Sequence, residues 1–137
     1  MTTTMRVDIV SAEEELFAGE ATEVFVSGEL GELGIYPNHA ALMTGIRPGG
    51  ARIKTVDGIE KCFYVAGGML EVQPHMVTIL ADTAVRAEDI DEAKAQEAKE
   101  QAEKLLTDRK ADMDYAVIAR DLAQALAQLK VVRRSKG

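Results

Sequence analysis

The sequence has no tryptophan, only 4% aromatic residues and a formal charge of −7, which excludes a general attraction of the whole molecule to nucleic acid or anionic lipid. Any such contact must be local. A single cysteine, Cys62, excludes an internal disulfide and suits a reducing compartment; it sits in the apolar run CFYVAG and reads as core. The two histidines, His39 and His75, have no second His or Cys at ligand spacing, so no metal site is expected. Ser11, Ser27 and Ser135 lack a G-x-S-x-G setting, and the acidic runs 13–15 and 88–92 read as solvated faces or helix starts. No catalytic constellation remains. Residues 1–16 lack a basic leader and no stretch approaches ~20 apolar residues, so a soluble, unexported chain is expected. What is present is a chain of 137 residues, 47% hydrophobic, enough for one core and an appendage.

Charge is unevenly placed. Residues 1–86 hold six basic against twelve acidic side chains, whereas residues 115–137 hold Arg120, Lys130, Arg133, Arg134 and Lys136 against Asp121 alone. Such an arm is either a solubilising terminus or, since it is built on an apolar helix, a contact for an acidic protein partner.

The first 86 residues read as a small β unit. Val7 and Ile9 alternate with polar neighbours over 5–11, and Val24 and Val26 do so over 21–27. Residues 52–56 and 59–65 flank Asp57-Gly58, for which a type I′ hairpin is expected; residues 69–73 and 76–81 flank Pro74-His75. Many short strands at this spacing predict a β-sandwich or flattened barrel. The glycine-rich stretch 27–50 lacks both a Gly-Lys-Ser/Thr signature and a following helix, so Gly28, Gly31 and Gly34 are expected in turns and not around a phosphate. Leu33, Ile35 and Leu42 would face inward. Glu29, Glu32, Asn38 and His39 would form an acidic outer rim.

Across residues 81–95 the hydrophobic period changes from two to three and four, so strands precede this joint and helices follow it. Asp89 with Glu92 predicts a capping box. Ala95, Ala98, Ala102, Leu105 and Leu106 form a thin stripe on a first helix; Asp112 or Asp114 can cap a second, which carries Tyr115, Ile118, Ala119, Leu122, Leu126 and Leu129. An antiparallel two-helix hairpin over 87–137 should therefore follow the β unit of 1–86. Alanine supplies helix propensity but little area to bury, so the hairpin can lean on the β unit or open for a few kcal/mol.

Three motifs, GELGIYPNHAAL at 31–42, VAGGMLEVQPHMVTIL at 65–80 and ADTAVRAEDIDEAKA at 81–95, occur in the order and spacing of the epsilon subunits of bacterial F-type ATP synthases, and Asp114-Tyr115-Ala116 agrees as well. The chain resembles that family over nearly its whole length. Asn38 stands where the family usually has Gly, and Ala41 where it has Pro. The resemblance implies a non-catalytic central-stalk subunit, peripheral on the cytoplasmic face of the bacterial inner membrane, with no direct membrane insertion and no nucleic-acid partner. It implies packing on the gamma subunit and the membrane rotor ring, coupling of proton flow to ATP synthesis, and inhibition of hydrolysis when the helices reach the catalytic alpha/beta head. On that basis Glu29 and Glu32 are assigned to the ring, Tyr36 and His39 to gamma, and Arg120, Lys130, Arg133 and Arg134 to the acidic region of the head.

The run at 90–95 is similar to the short ATP-binding motif of some family members, with Lys94 where they have Arg. Lysine offers phosphate a point charge in place of a planar fork. Their further arginines correspond to Gln101, Gln124 and Gln128 here. A nucleotide site at Asp91 and Lys94 is thus expected to be weak or absent, and no cofactor is implied. The rival reading is a free-standing β-sandwich adaptor, or a small hydrolase with a helical lid, which would require a pocket with convergent polar groups.

Overall fold

A computed structural model of the chain describes residues 3–108 and 114–136. Six strands, β1 (Met5–Ser11), β2 (Glu15–Gly28), β3 (Gly31–Ile35), β4 (Leu42–Thr55), β5 (Glu60–Gln73) and β6 (Met76–Arg86), precede a 3-10 turn (Ala87–Asp89) and helices α1 (Glu92–Thr107) and α2 (Tyr115–Lys136). The strand order is β1-β6-β5-β4-β2-β3, and β1 also pairs with β2, which closes a five-strand barrel and leaves β3 as a flap on β2. Closure removes the exposed edges that a flat sheet of this apolar content would present. The expected flattened barrel followed by a helical pair is the fold observed.

Inward side chains of all six strands fill the barrel, from Met5, Val7 and Ile9 on β1 to Val77 and Ile79 on β6. The strand β5 differs from its neighbours because Cys62 to Ala66 are buried without alternation. Phe63 and Val65 point into the barrel, while Cys62, Tyr64 and Ala66 point outward into a second cluster with Ala87 and Val131. A continuous apolar run results when both faces of a strand are covered.

Strands are longer than the sequence patterns indicate. The expected 21–27 strand is the second half of β2, stretch 27–50 contributes β3 and the start of β4, and the two expected hairpins share one continuous β5. Gly28 and Gly31 bound the β2–β3 turn as expected, but within β4 and β5 glycines bend the strand instead of ending it. Gly67 and Gly68 have φ of 71° and 97°, and a Cβ on Gly68 would overlap the Leu80 carbonyl, yet β5 keeps one register with β6 on both sides of the pair. On β4, Arg47 to Gly50 bulge opposite Ser27, between the pairs Val26↔Ala51 and Gly28↔Ile46. The Asp57-Gly58 turn is not type I′: Gly58 alone has positive φ, 81°, and its N–H donates to the Thr55 carbonyl at 2.9 Å. That pattern fits a left-handed glycine ending a tight turn.

The helix start also falls elsewhere than the capping box. Asp89 ends the 3-10 turn, and Asp91 is the N-cap of α1, its carboxylate accepting the Lys94 N–H at 3.1 Å. Asp114 caps α2 by accepting the Ala116 and Val117 N–H groups; the alternative, Asp112, lies outside the described residues. The helices run antiparallel, as the 2.7 Å bond from Lys136 at the end of α2 to Glu92 at the start of α1 requires. The expected α2 stripe is shifted: Leu126 and Tyr115 are exposed, and the burial falls on Ala125, Leu129, Val131 and Val132. Two faces account for it. Ile118, Leu122, Ala125, Leu129 and Val132 recur at alternate gaps of four and three, while Ala127 and Val131 belong to the cluster on β5.

Candidate functional site

The β2–β3 hairpin turns at Glu29 and Leu30, and Leu30 is 98% exposed. Leu30 stands between Glu29 and Gly31, with Glu32 next along the chain, and composition alone could not single it out. Glu29 lies over Gly45, where a Cβ would come within 2.9 Å of its carboxylate. Glu32 is less free than an acidic rim implies, because Arg52 donates to it at 3.3 Å. The Arg52 guanidinium also stacks 4.6 Å above the Phe25 ring, and Phe25 meets Tyr36 edge to face at 6.2 Å. Glu32 and Tyr36 therefore share one outer face through Arg52 and Phe25.

Tyr36 to Ala41 form a turn whose shape depends on Asn38, the one non-glycine residue with positive φ, 70°, among the described residues. The Asn38 N–H donates to the Pro74 carbonyl at 2.8 Å, which ties this turn to the β5–β6 turn, and the His39 ring bonds the Ala40 carbonyl at 2.8 Å. Just beyond the turn, Met43 is exposed. Met69 and Leu80, cross-strand partners on β5 and β6, are 42% and 50% exposed, with Met69 opposite Gly45 on β4. Strand pairing sets these three together on the outer side of the barrel.

The helical hairpin is fastened by α2 over the outward side chains of β5 at Cys62, Tyr64 and Ala66. Val131 sits with Tyr64, Cys62, Ala66 and Ala87, and its Cγ2 would be 3.2 Å from a Cβ on Gly50. Burial pushes the Tyr64 hydroxyl and the Cys62 thiol above their ordinary pKa values, so Cys62 is an unreactive thiol while covered. One ion pair spans the interface, Arg134 Nε to Glu60 at 3.1 Å, and a second, Lys136 Nζ to Glu92 at 2.7 Å, ties the two helices to each other. Each donated hydrogen bond holds its glutamate below the usual carboxylate pKa. Both pairs are solvent-exposed, so the Arg134–Glu60 pair steers the dock more than it secures it. Of the basic arm, Arg134 is thus engaged within the chain, while Arg120, Lys130 and Arg133 remain exposed.

At the 90–95 motif, Asp91 is engaged as a helix cap and Lys94 is exposed. Gln124 and Gln128 are half-buried on α2, and Gln101 is exposed on α1.

Residues 4–87 match the family described as ATP synthase, Delta/Epsilon chain, beta-sandwich domain, and residues 88–133 match its long alpha-helix domain. The chain is 57% identical over 135 residues to the ATP synthase epsilon chain of Janthinobacterium sp. (strain Marseille), covering 98% of this chain and 96% of that one. It is 54% identical over 134 residues to the ATP synthase epsilon chain of Nitrosococcus oceani, with the same coverage. In fold it is similar to a chain of the Euglena gracilis mitochondrial ATP synthase, with a TM-score of 0.71 at 20% identity over 97% of this chain and 79% of that one. Both segments match in order and the relatives align from end to end, so the chain belongs to the ATP synthase delta/epsilon family.

Proposed function

We propose that this chain is the non-catalytic central-stalk subunit that couples the rotor of an F-type ATP synthase to its catalytic head and restrains ATP hydrolysis through its C-terminal helices. Family membership supports that role and removes the ground for a free-standing adaptor or a lidded hydrolase. The division of labour is at the 86/87 joint: the barrel is the rotor-bound unit and 87–137 the regulatory one. In the cell, the subunit sits on the cytoplasmic face of the bacterial inner membrane, peripheral to it; among the described residues no helix is long and apolar enough to cross.

The gamma subunit docks along Met43, Met69 and Leu80 beside the Tyr36–His39 turn, and the polar loops of the rotor ring meet the Glu29–Glu32 tip with Leu30 at its apex. An apolar patch ringed by polar side chains supports the first assignment, and an exposed leucine between acids supports the second. One observation carries the regulatory reading: the hairpin meets the barrel through a small cluster, Val131 and Ala127 of α2 with Ala87 and Ile90 of the joint against Cys62, Tyr64 and Ala66, and through one exposed ion pair, Arg134 to Glu60. Burying one branched side chain contributes about 1.5–3 kcal/mol and an alanine less, little enough that an acidic groove in the alpha/beta head can draw the helices away by engaging Arg120, Lys130, Arg133 and Arg134. Nucleotide binding at Asp91 and Lys94 is weak or absent, because the aspartate is already occupied as a cap.

Co-purification tests the assignment. A tagged chain should bring down gamma and the catalytic head; Met69→Lys with Leu80→Lys should lose gamma while the barrel stays folded by circular dichroism. Retention of gamma by the double variant would reject this face. Titration of the isolated chain with Mg-ATP should give no micromolar binding that Lys94→Gln removes.

A further inference from the structure

We propose that the groove between the β4 bulge and α2 binds a phosphate-class oxyanion, gripped by Arg47 from the barrel and by Lys130 and Arg133 from the helix. The groove encloses about 1050 Å³, and Arg47, Arg52, Lys130, Arg133 and Arg134 line it against a single carboxylate, Glu32. This concentration of positive charge lies in a chain of net charge −7. Two of the five cations are committed, Arg52 to Glu32 and the Phe25 ring, Arg134 to Glu60. Arg47, Lys130 and Arg133 make no ion pair among the described residues, and Glu92 reaches Arg133 only at longer range.

Docking brings the three together from two elements. The bulge from Arg47 to Gly50 takes the chain out of the β2–β4 ladder, and Val131 seats on Gly50, so Lys130 and Arg133 line the same groove as Arg47 when the hairpin is docked. Like charges brought together in a groove repel, and the repulsion opposes docking. A multivalent oxyanion reverses the sign of that contribution. Its oxygens accept the forked N–H groups of two arginines and the point charge of one lysine, a donor set suited to phosphate. Because the donors come from both sides, the anion binds the docked form better than the open one and shifts the population toward it. This site is separate from Asp91 and Lys94, and it stands or falls on the isolated chain, independently of the rotor contacts.

Cys62 supplies the reading. It is the only cysteine, it lines the same groove, and α2 covers it, so its rate of modification by a thiol reagent reports undocking. With the full chain at constant ionic strength, inorganic pyrophosphate should slow that rate several-fold where chloride does not, and should broaden in its 31P resonance. Arg47→Gln, Lys130→Gln and Arg133→Gln should each abolish the slowing and the broadening, while Arg120→Gln keeps both. The substituted side chains are exposed or unpaired, and unchanged circular dichroism will verify the fold. If ATP slows the reaction as pyrophosphate does, and loses the effect in the same variants, the phosphate chain alone is read. Slowing by chloride to the same extent, slowing by ATP alone that Lys94→Gln removes, or slowing by pyrophosphate that survives all three groove substitutions would each overturn the proposal.

Discussion

Asn38 and Gly68 hold left-handed backbone angles, and the two positions tolerate substitution differently. Asparagine visits this region at small cost, and glycine visits it freely. Asn38→Gly should therefore leave the urea midpoint unchanged or slightly raised, whereas Asn38→Val should cost about 1–2 kcal/mol. Gly68→Ala meets both the angle and the Leu80 carbonyl, so its loss should exceed that of Asn38→Val in the same denaturation series. The strained glycines could not be located from sequence, because a GG pair inside an apolar run signals a break as readily as a bend. That the 36–41 turn needed a residue with turn chemistry was legible in YPNH. Glu32 is a parallel case: its acidity could be read, but its tie to Arg52 is made across β3, β2 and β4.

At the scale of elements, the hinge of interest is the contact between α2 and β5. Gly50→Leu would drive a side chain into Val131, and Val131→Asp would put a charge against Tyr64. Either should undock the hairpin without unfolding the barrel, seen as faster modification of Cys62 with little change in strand circular dichroism; unchanged Cys62 reactivity in both would show that Val131 does not hold the dock. The ion pair across the interface adds a pH dependence. Glu60 has its pKa depressed by Arg134 when docked, so its contribution is fully present above the ordinary glutamate value of about 4.3 and is lost as pH falls through the depressed value. Cys62 reactivity, corrected for thiolate fraction, should rise on acidification below that point and on adding salt at neutral pH. The existence and order of the two helices were legible from period alone. Which residues of α2 face the barrel was not, since alanines and valines on a helix that contacts two bodies give no single stripe.

For the whole molecule, the proposed function gives coupling to the barrel and restraint to the hairpin. Removing residues 87–137 should raise ATP hydrolysis by the assembled enzyme while gamma binding persists, and an unchanged hydrolysis rate would remove the inhibitory role. Removing α2 also uncovers Cys62, Tyr64 and Ala66, so the truncated chain should be studied in the assembly and checked for aggregation. On the rotor side, Leu30→Asp is a cleaner probe than Glu32→Lys. Leu30 is 98% exposed, whereas Glu32→Lys would also set a lysine against Arg52. Leu30→Asp should lower proton-coupled ATP synthesis in membrane vesicles with no change in the melting temperature of the isolated chain.

Period, punctuation and three motifs in register were enough to determine a strand unit followed by helices and to place the chain in its family, because those properties depend on neighbours a few residues apart and on order along the chain. Tertiary structure alone decided that the barrel closes through β1 and β2, that β5 is covered on both faces, and that Arg47 meets Lys130 and Arg133 across one groove. These are pairings between residues tens of positions apart. They depend on strand register and on where α2 comes to rest, and neither leaves a local mark on the sequence.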